Sequence, residues 1–247
     1  MTNTSSFPIT GLLCKMHVLA SFVTVAAIAA TVIAPAVAAA ASPAAGDTYV
    51  YRVFNGYNNE ARGKIQYRVD QVDADRIVVS VATDIPALGL ARTEVYTKDG
   101  NWLRHPVTNH DQPVEYEFAP VYPAYVLPLE TGKSWSVRVN ATDPATGRRN
   151  SVRVDGEVLG AERISTPAGA FDTIMVRRRV YAGDWDGFRR ETHIIEIDWY
   201  APALGRPVRT ESKSKWQDIS RCARLSCPFF HGDWNVIELV EASTAKP

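Results

Sequence analysis

Strict alternation of polar and apolar side chains is the dominant pattern after residue 43. Residues 64–69 (KIQYRV) alternate without interruption, and residues 135–140 (WSVRVN) do so again. Such alternation is typical of a half-buried β-strand, because successive side chains of a strand point to opposite faces. Similar patterns predict strands at 48–54, 64–69, 76–82, 92–97, 135–140, 151–158, 172–182, 189–200, 206–216 and 234–242. No stretch of this region sustains an apolar helical period over three turns, so little helix is expected.

The segments between these strands are short and rich in turn-forming residues. KDGN, ATDPATGR and ALGR each place Gly or Asn where a tight turn needs a positive φ. Hairpin-length connections cannot make parallel crossovers, so the strands must be antiparallel. We therefore predict a mainly β fold over residues 46–243, a single strongly curled antiparallel sheet forming an open or incomplete barrel of about ten strands. A β-sandwich is the alternative.

Residues 1–41 differ from the rest of the chain. Their only formally charged side chain is Lys15, and an apolar run follows it and ends in small residues. A basic start, an apolar centre and an A-x-A exit are typical of a secretory signal peptide, with cleavage expected after Ala38 to Ala41. The alternative is an uncleaved anchor, because residues 18–34 approach the length of a membrane span. The prediction is a periplasmic or secreted protein, with membrane association only if the leader is retained.

Charge and cysteine content narrow the possible functions. The whole chain has 27 basic and 27 acidic residues, and loss of the leader removes only Lys15. This balance argues against a nucleic-acid partner, since such proteins usually carry a basic excess. Without Cys14 of the leader, Cys222 and Cys227 are the only cysteines, and export favours a disulfide between them. Their spacing differs from a C-x-x-C redox site, and with His231 it matches no familiar zinc site.

The segment 105–132 is less regular than the rest. It holds five prolines and several aromatic residues, and proline is confined to the edges, bulges and loops of sheets. We expect this segment to cross an opening or a sheet edge, either as a long connection or as a flap over a cavity mouth.

Three segments resemble a pattern in secreted bacterial domains that are largely uncharacterised. They are PLETGKSWSV (128–137), ISTPAGAFDTIMVR (164–177) and DWYAPALGRPVRTE (198–211), in that order. Those domains are similar to the outer-membrane lipoprotein carriers LolA and LolB. The resemblance implies an incompletely closed barrel whose concave face holds an acyl chain or another apolar segment. This chain departs from the carriers because it lacks a lipidation cysteine after the leader.

Motifs for catalysis and metal binding are missing. The chain contains no G-x-S-x-G, and the formal S-x-x-K match at 212–215 lies in a predicted strand, where positions i and i+3 face opposite ways. His105 and His110 lack the framing that fixes metal ligands, and Asp184 and Asp186 are not followed by the closing Glu of a calcium loop. The sequence predicts no catalytic residue, metal site or cofactor. A glycosidase-type carboxylate pair stays open, because such pairs come from distant strands.

Aromatic residues give the best indication of a binding site. Tyr and Trp combine an apolar body with a polar tip, which suits a lined cavity. We predict ligand contacts for Trp102, Tyr116, Tyr122, Tyr125 and Trp199.

The leading hypothesis for function is an envelope protein that binds an apolar small molecule, a lipid moiety or a segment of an envelope protein on its curled sheet. One alternative is an envelope hydrolase that uses carboxylates. The other is a non-enzymatic assembly factor. The missing catalytic motifs favour a role other than catalysis.

Overall fold

The structure is a computed structural model that describes residues 42–88, 91–107, 114–183, 189–222 and 227–244. The predicted leader, His110 and the Asp184 and Asp186 pair lie outside the described residues. Within the described ranges, no helix is long and apolar enough to cross a membrane.

Twelve β-strands form the domain, with short 3-10 turns at Pro86–Leu88 and Ile219–Arg221. All ten strands predicted from alternation are present. The strands are β1 (Thr48–Asn55), β2 (Ala61–Val72), β3 (Arg76–Thr83), β4 (Ala91–Thr97), β5 (Trp102–Pro106), β6 (Glu115–Tyr122), β7 (Ser134–Thr142), β8 (Arg149–Thr166), β9 (Gly169–Gly183), β10 (Arg189–Ala201), β11 (Arg206–Asp218) and β12 (Phe229–Ser243).

Each strand pairs with its neighbours in the sequence, and β12 pairs with β1 to close a barrel. The first and last strands are antiparallel, from Thr48 opposite Ser243 to Asn55 opposite Asn235. The prediction of a single curled antiparallel sheet forming a barrel is therefore confirmed. The sheet differs from the prediction in being closed instead of open or incomplete, and in having twelve strands instead of about ten.

The two additional strands are β5, which ends at the start of the proline-rich segment, and β6, which lies within it. The expectation that this segment crosses an opening or a sheet edge as a connection is wrong for residues 115–122, which form β6 inside the barrel wall. Tyr116 and Phe118 point inward from β6, in alternation with outward residues. Pro120 is tolerated because the pairing of β6 with β7 stops at Ala119, so no ladder hydrogen bond is lost there.

Alternation along each strand sends one set of side chains into the barrel. On β1, Tyr49, Tyr51 and Val53 are buried, whereas Arg52 faces outward and pairs with Glu238 of β12 at 3.2 Å. The buried residues form two hydrophobic clusters, one mainly from β5 to β10 and one mainly from β1 to β3, β11 and β12. The interior of a barrel widens with the number of strands, so twelve strands leave space that side chains do not fill.

The predicted disulfide between Cys222 and Cys227 is confirmed. The two sulfur atoms are 1.99 Å apart, and the cysteines are five positions apart in the sequence. The bridge lies between the 3-10 turn at Ile219–Arg221 and β12. It restrains the connection that leads into the strand that closes the barrel.

Reduction of this disulfide is expected to lower the free energy of unfolding by about 2 kcal/mol, the chain-entropy value for so short a ring. Denaturant titrations with and without reductant measure the difference, and a thiol assay on the untreated protein should detect no free cysteine in the exported form. The double variant Cys222→Ser with Cys227→Ser serves as the control, because reductant should not change its stability. An equal effect of reductant on both proteins would contradict the assignment.

Candidate functional site

A cavity of about 500 Å³ lies within the barrel. Strands β1 to β3 line it with apolar side chains, whereas β4, β9, β10 and β11 add charged and polar groups to its wall. Ligand pockets typically have volumes of about 300–1,000 Å³ and combine apolar walls with a few polar groups. The apolar lining includes Val53, Ile65, Val69, Ile77, Val79 and Leu88.

A buried arginine organises the charged side of the cavity. The side chain of Arg178, on β9, is only 2% exposed. Its Nη1 donates to Asp198 Oδ2 at 2.7 Å, and its Nη2 donates to Glu196 Oε2 at 3.0 Å. Nη1 also reaches the carbonyl oxygen of Ala124 at 3.3 Å. A buried charge needs such pairing, because removing it from water is costly.

Hydroxyl groups complete the environment of Asp198. Tyr125 donates to Asp198 Oδ2 at 2.6 Å, and Thr210 donates to Oδ1 at 2.7 Å. Burial and the nearby Asp198 carboxylate raise the pKa of Tyr125 well above its usual value, so Tyr125 keeps its proton and acts as a donor. Burial raises the pKa of Glu196, although Arg178 opposes this shift.

A second buried network surrounds Glu94 on β4, which is fully buried. Arg92 Nε donates to Glu94 Oε1 at 2.6 Å, the Tyr96 hydroxyl donates to Oε2, and His105 Nε2 is 3.6 Å from Oε2. Burial opposes the ionisation of Glu94, but His105, Arg92 and Tyr96 outweigh it and hold its pKa below the usual value. The negative charge of Glu94 is therefore balanced within the wall of the cavity.

His105 belongs to an aromatic stack inside the barrel. The Trp102 ring lies between His105, at a centroid distance of 3.8 Å, and Tyr122, at 4.1 Å, with nearly parallel planes. Burial lowers the pKa of His105, although Glu94 favours its protonated form. His105 Nδ1 lies 2.6 Å from the carbonyl oxygen of Pro106.

The lowered pKa of His105 predicts that acid destabilises the barrel. The unfolded chain binds a proton at His105 near pH 6.5, whereas the folded protein binds it only at lower pH. As pH falls below about 6.5, protonation favours the unfolded state, and the free energy of unfolding should fall by up to about 1.4 kcal/mol per pH unit. Denaturant titrations at pH 7.5 and 5.5 measure this slope.

In His105→Gln, the free energy of unfolding should depend less on pH than it does in the wild type. Arg92, Glu94 and Tyr96 of β4 and Arg178 of β9 act on or contact the His105 ring and are retained in the variant. The substitution also removes a contribution that lowers the pKa of Glu94, so the slopes are compared between pH 7.5 and 5.5, above the usual pKa of a Glu. An unchanged slope in the variant would show that His105 does not control the acid response.

The structure brings some of the predicted ligand residues to the cavity. Trp102 and Tyr125 line it. Tyr116 and Tyr122 are buried in the hydrophobic cluster of β5 to β10. Trp199 lies on the outward side of β10, where its Nε1 donates to Glu162 Oε2 at 2.8 Å. Ligand contact by these five residues stays a prediction.

The sequence analysis missed the charged residues of the cavity wall. Arg178 occupies the same face of β9 as the buried Val176 and Val180, and Glu196 and Asp198 share the inward face of β10. A charged side chain at an apolar-face position of an alternating strand is the signal that could have identified them. The contacts between these residues join β9 to β10, so the alternation pattern of a single strand does not indicate them.

Metal ligands do not converge in the part of the chain that the structure describes. No group of three His, Cys, Asp or Glu side chains is placed there to hold an ion.

The fold and the cavity define the class of protein: an up-and-down antiparallel β-barrel with an internal, partly charged cavity. No protein-family model and no curated protein matches the chain. Among solved structures, the chain is similar to a lipoprotein candidate from Parabacteroides distasonis, with a TM-score of 0.52 and 16% identity over 82% of this chain and 97% of that one. It is also similar to a candidate exported protein with a YmcC-like fold from Bacteroides fragilis, with a TM-score of 0.48 and 15% identity over 83% and 99% of the two chains.

The similarity to the Parabacteroides protein shows a shared fold. The resemblance to LolA and LolB stays a prediction.

Proposed function

We propose that this is an exported envelope protein that binds an apolar or amphipathic ligand inside its barrel. The observation that carries the proposal is the cavity of about 500 Å³, whose wall is mostly apolar on β1 to β3 and includes charged and polar groups on β4, β9, β10 and β11. Burial of an apolar ligand surface in such a cavity is favourable because it removes that surface from water. The charged groups orient a ligand that has a polar end.

Two further observations support an envelope location. The Cys222–Cys227 disulfide suits an oxidising compartment. The Parabacteroides protein that shares the fold is described as a lipoprotein candidate. Together with the predicted leader, these observations favour the periplasm or secretion.

A carboxylate hydrolase is less well supported than a binding protein. A glycosidase needs one carboxyl group that transfers a proton and a second that acts as base or nucleophile. Glu196 and Asp198 both bind Arg178, and Asp198 also accepts hydrogen bonds from Tyr125 and Thr210. These contacts engage both oxygen atoms of Asp198 and Oε2 of Glu196, so the pair is held by Arg178 as an ion-pair network.

Filling the cavity should abolish ligand binding. In Val79→Phe, a larger side chain projects from β3 into the cavity, and we expect the co-purifying ligand to fall at least about tenfold because the space is occupied. The protein is purified from its native envelope, and native mass spectrometry with organic extraction measures the bound ligand. Val78→Phe is the matched control, because Val78 is the preceding residue of β3 and points outward.

Circular dichroism and thermal unfolding establish that both variants are folded. The proposal predicts bound ligand in the wild type and in Val78→Phe. An empty wild-type protein, or full occupancy in a folded Val79→Phe, would contradict it.

A further inference from the structure

Arg206 differs from Arg92 and Arg178, which also line the cavity. It begins β11 and lines the cavity. Its guanidinium carbon lies over the rings of three tyrosines, 4.0 Å from the centroid of Tyr49, 5.2 Å from that of Tyr51 and 4.8 Å from that of Tyr67. Stacking on aromatic faces holds the guanidinium in one place but leaves the edge donors available for hydrogen bonds.

The hydrogen-bond donors of Arg206 are mostly unused. Its Nε donates to the Tyr51 hydroxyl at 2.7 Å. Within the described part of the chain, neither Nη1 nor Nη2 of Arg206 has a hydrogen-bond or ion-pair partner. Arg92 and Arg178, in contrast, each bind a carboxylate. Arg206 is half-buried and lines the cavity, so an oxyanion bound there can pair with its Nη groups.

The tyrosines around Arg206 add one more unused donor. The Tyr49 hydroxyl donates to Asp47 at 3.3 Å, and the Tyr51 hydroxyl donates to the carbonyl oxygen of Pro207 at 2.7 Å. Tyr67 lines the cavity, and its hydroxyl has no hydrogen-bond partner among the residues that the structure describes. Burial raises the pKa of Tyr67, so its hydroxyl stays protonated and can donate.

The nearby negative charge is already balanced. Glu94 acts on Tyr67 and is bound by Arg92 and Tyr96. Asp198 acts on Tyr51 and is bound by Arg178, Tyr125 and Thr210. Asp47 acts on Tyr49 and accepts hydrogen bonds from the Tyr49 hydroxyl and the Ala44 amide. An anion placed beside Arg206 therefore meets carboxylates that already have partners instead of free ones. The same cavity includes the apolar side chains of Ile65 and Val69 on β2, the strand that carries Tyr67.

We propose that Arg206 and Tyr67 bind the oxyanion head of an amphipathic ligand, a carboxylate or a phosphate monoester, while the apolar residues of β1 to β3 contact its chain. A guanidinium edge matches the two oxygens of such a head, and the Tyr67 hydroxyl adds a third donor. This inference rests on the proposed binding function, and it names the chemistry of the ligand.

Three probes with the same alkyl chain test the proposal: dodecanoate, dodecyl phosphate and dodecan-1-ol. The two anions are titrated into delipidated protein below their micelle concentrations, and the alcohol below its solubility limit. The wild type should bind at least one anionic probe about 10- to 100-fold more tightly than the alcohol, the range expected for a charge-assisted contact. The anion that binds more tightly identifies the head group.

Arg206→Met should remove this preference. The variant keeps an unbranched side chain over the tyrosine rings but loses the charge, so its affinity for the anion should fall to that for dodecan-1-ol, whose own affinity should not change. Tyr67→Phe should weaken anion binding by a smaller factor. Arg209→Met is the matched control, because Arg209 lies on the same strand and pairs with Glu211 at 2.8 Å outside the cavity lining; it should retain the preference.

The two proposals fail in different ways. Equal affinity of the wild type for anion and alcohol, or an anion preference that survives in a folded Arg206→Met, would overturn the role of Arg206 and leave cavity binding intact. If none of the probes binds, both proposals fall. The comparison of anion with alcohol uses the wild-type protein alone. It therefore tests the proposal even if a variant does not fold.

Discussion

Asp198→Ala is expected to destabilise the barrel by about 3–5 kcal/mol, the range for removing one partner of a buried ion pair. Asp198 accepts hydrogen bonds from Arg178, Tyr125 and Thr210. Its loss leaves the buried guanidinium of Arg178 with one carboxylate, Glu196, instead of two, and removes the acceptor of the Tyr125 hydroxyl. The free energy of unfolding, measured in denaturant at pH 7, reports the change.

Asp155→Ala provides the matched control for this experiment. Asp155 also binds an arginine and a hydroxyl, Arg153 at 2.8 Å and Ser136 at 2.6 Å, but its side chain lies on the outer surface and is 28% exposed. A surface pair of this kind contributes at most about 1 kcal/mol. Similar losses for Asp155→Ala and Asp198→Ala would show that the interior network does not carry the stability assigned to it.

Trp102→Ala is expected to cost about 3–5 kcal/mol of stability, the usual range for truncating a buried Trp. Trp102 is 8% exposed and stacks on His105 and Tyr122. The substitution removes both ring contacts and opens a void next to the cavity. Denaturant titration measures the loss, and near-ultraviolet circular dichroism reports the disruption of the stack.

Trp199→Ala serves as the comparison, because this Trp lies on the outward side of β10 and hydrogen-bonds Glu162. Its loss should cost less than that of Trp102, since it leaves no internal void. If Trp199→Ala proved the more destabilising, the division of the barrel into these inner and outer faces would be wrong. The expected cost of Trp102→Ala also makes Val79 and Arg206 better positions for testing ligand binding.

The strands that could be predicted from sequence are those with an uninterrupted period of two. Residues 64–69 and 135–140 are clear examples, because each side chain's direction depends only on its position in the strand. Strand β6 was missed because the prolines of segment 105–132 suggested a connection, and β5, with five residues, was not identified from alternation. A proline interrupts a sheet only where a backbone N–H at its position would bond to a neighbouring strand. The sequence does not show which positions these are.

The candidate site was harder to predict than the fold. Tyr125 and Trp102 were identified from residue type, and both line the cavity. Arg178 and Asp198 were not identified, although they are 20 positions apart in the sequence and in direct contact. A charged residue is buried inside a barrel only where partners offset its loss of hydration. The register between strands determines which residues lie close enough to be those partners.

By itself, the sequence determined that this protein is built of antiparallel strands and that Cys222 and Cys227 form a disulfide. The strands follow from a period of two and hairpin-length turns, and the disulfide follows from the predicted export, which leaves these two cysteines in an oxidising compartment. Only the tertiary structure decided that the sheet closes, because this depends on pairing between β1 and β12, whose Arg52 and Glu238 are 186 positions apart. Closure in turn creates the cavity and places Arg206 in it, since the interior of a barrel exists only when the first strand meets the last.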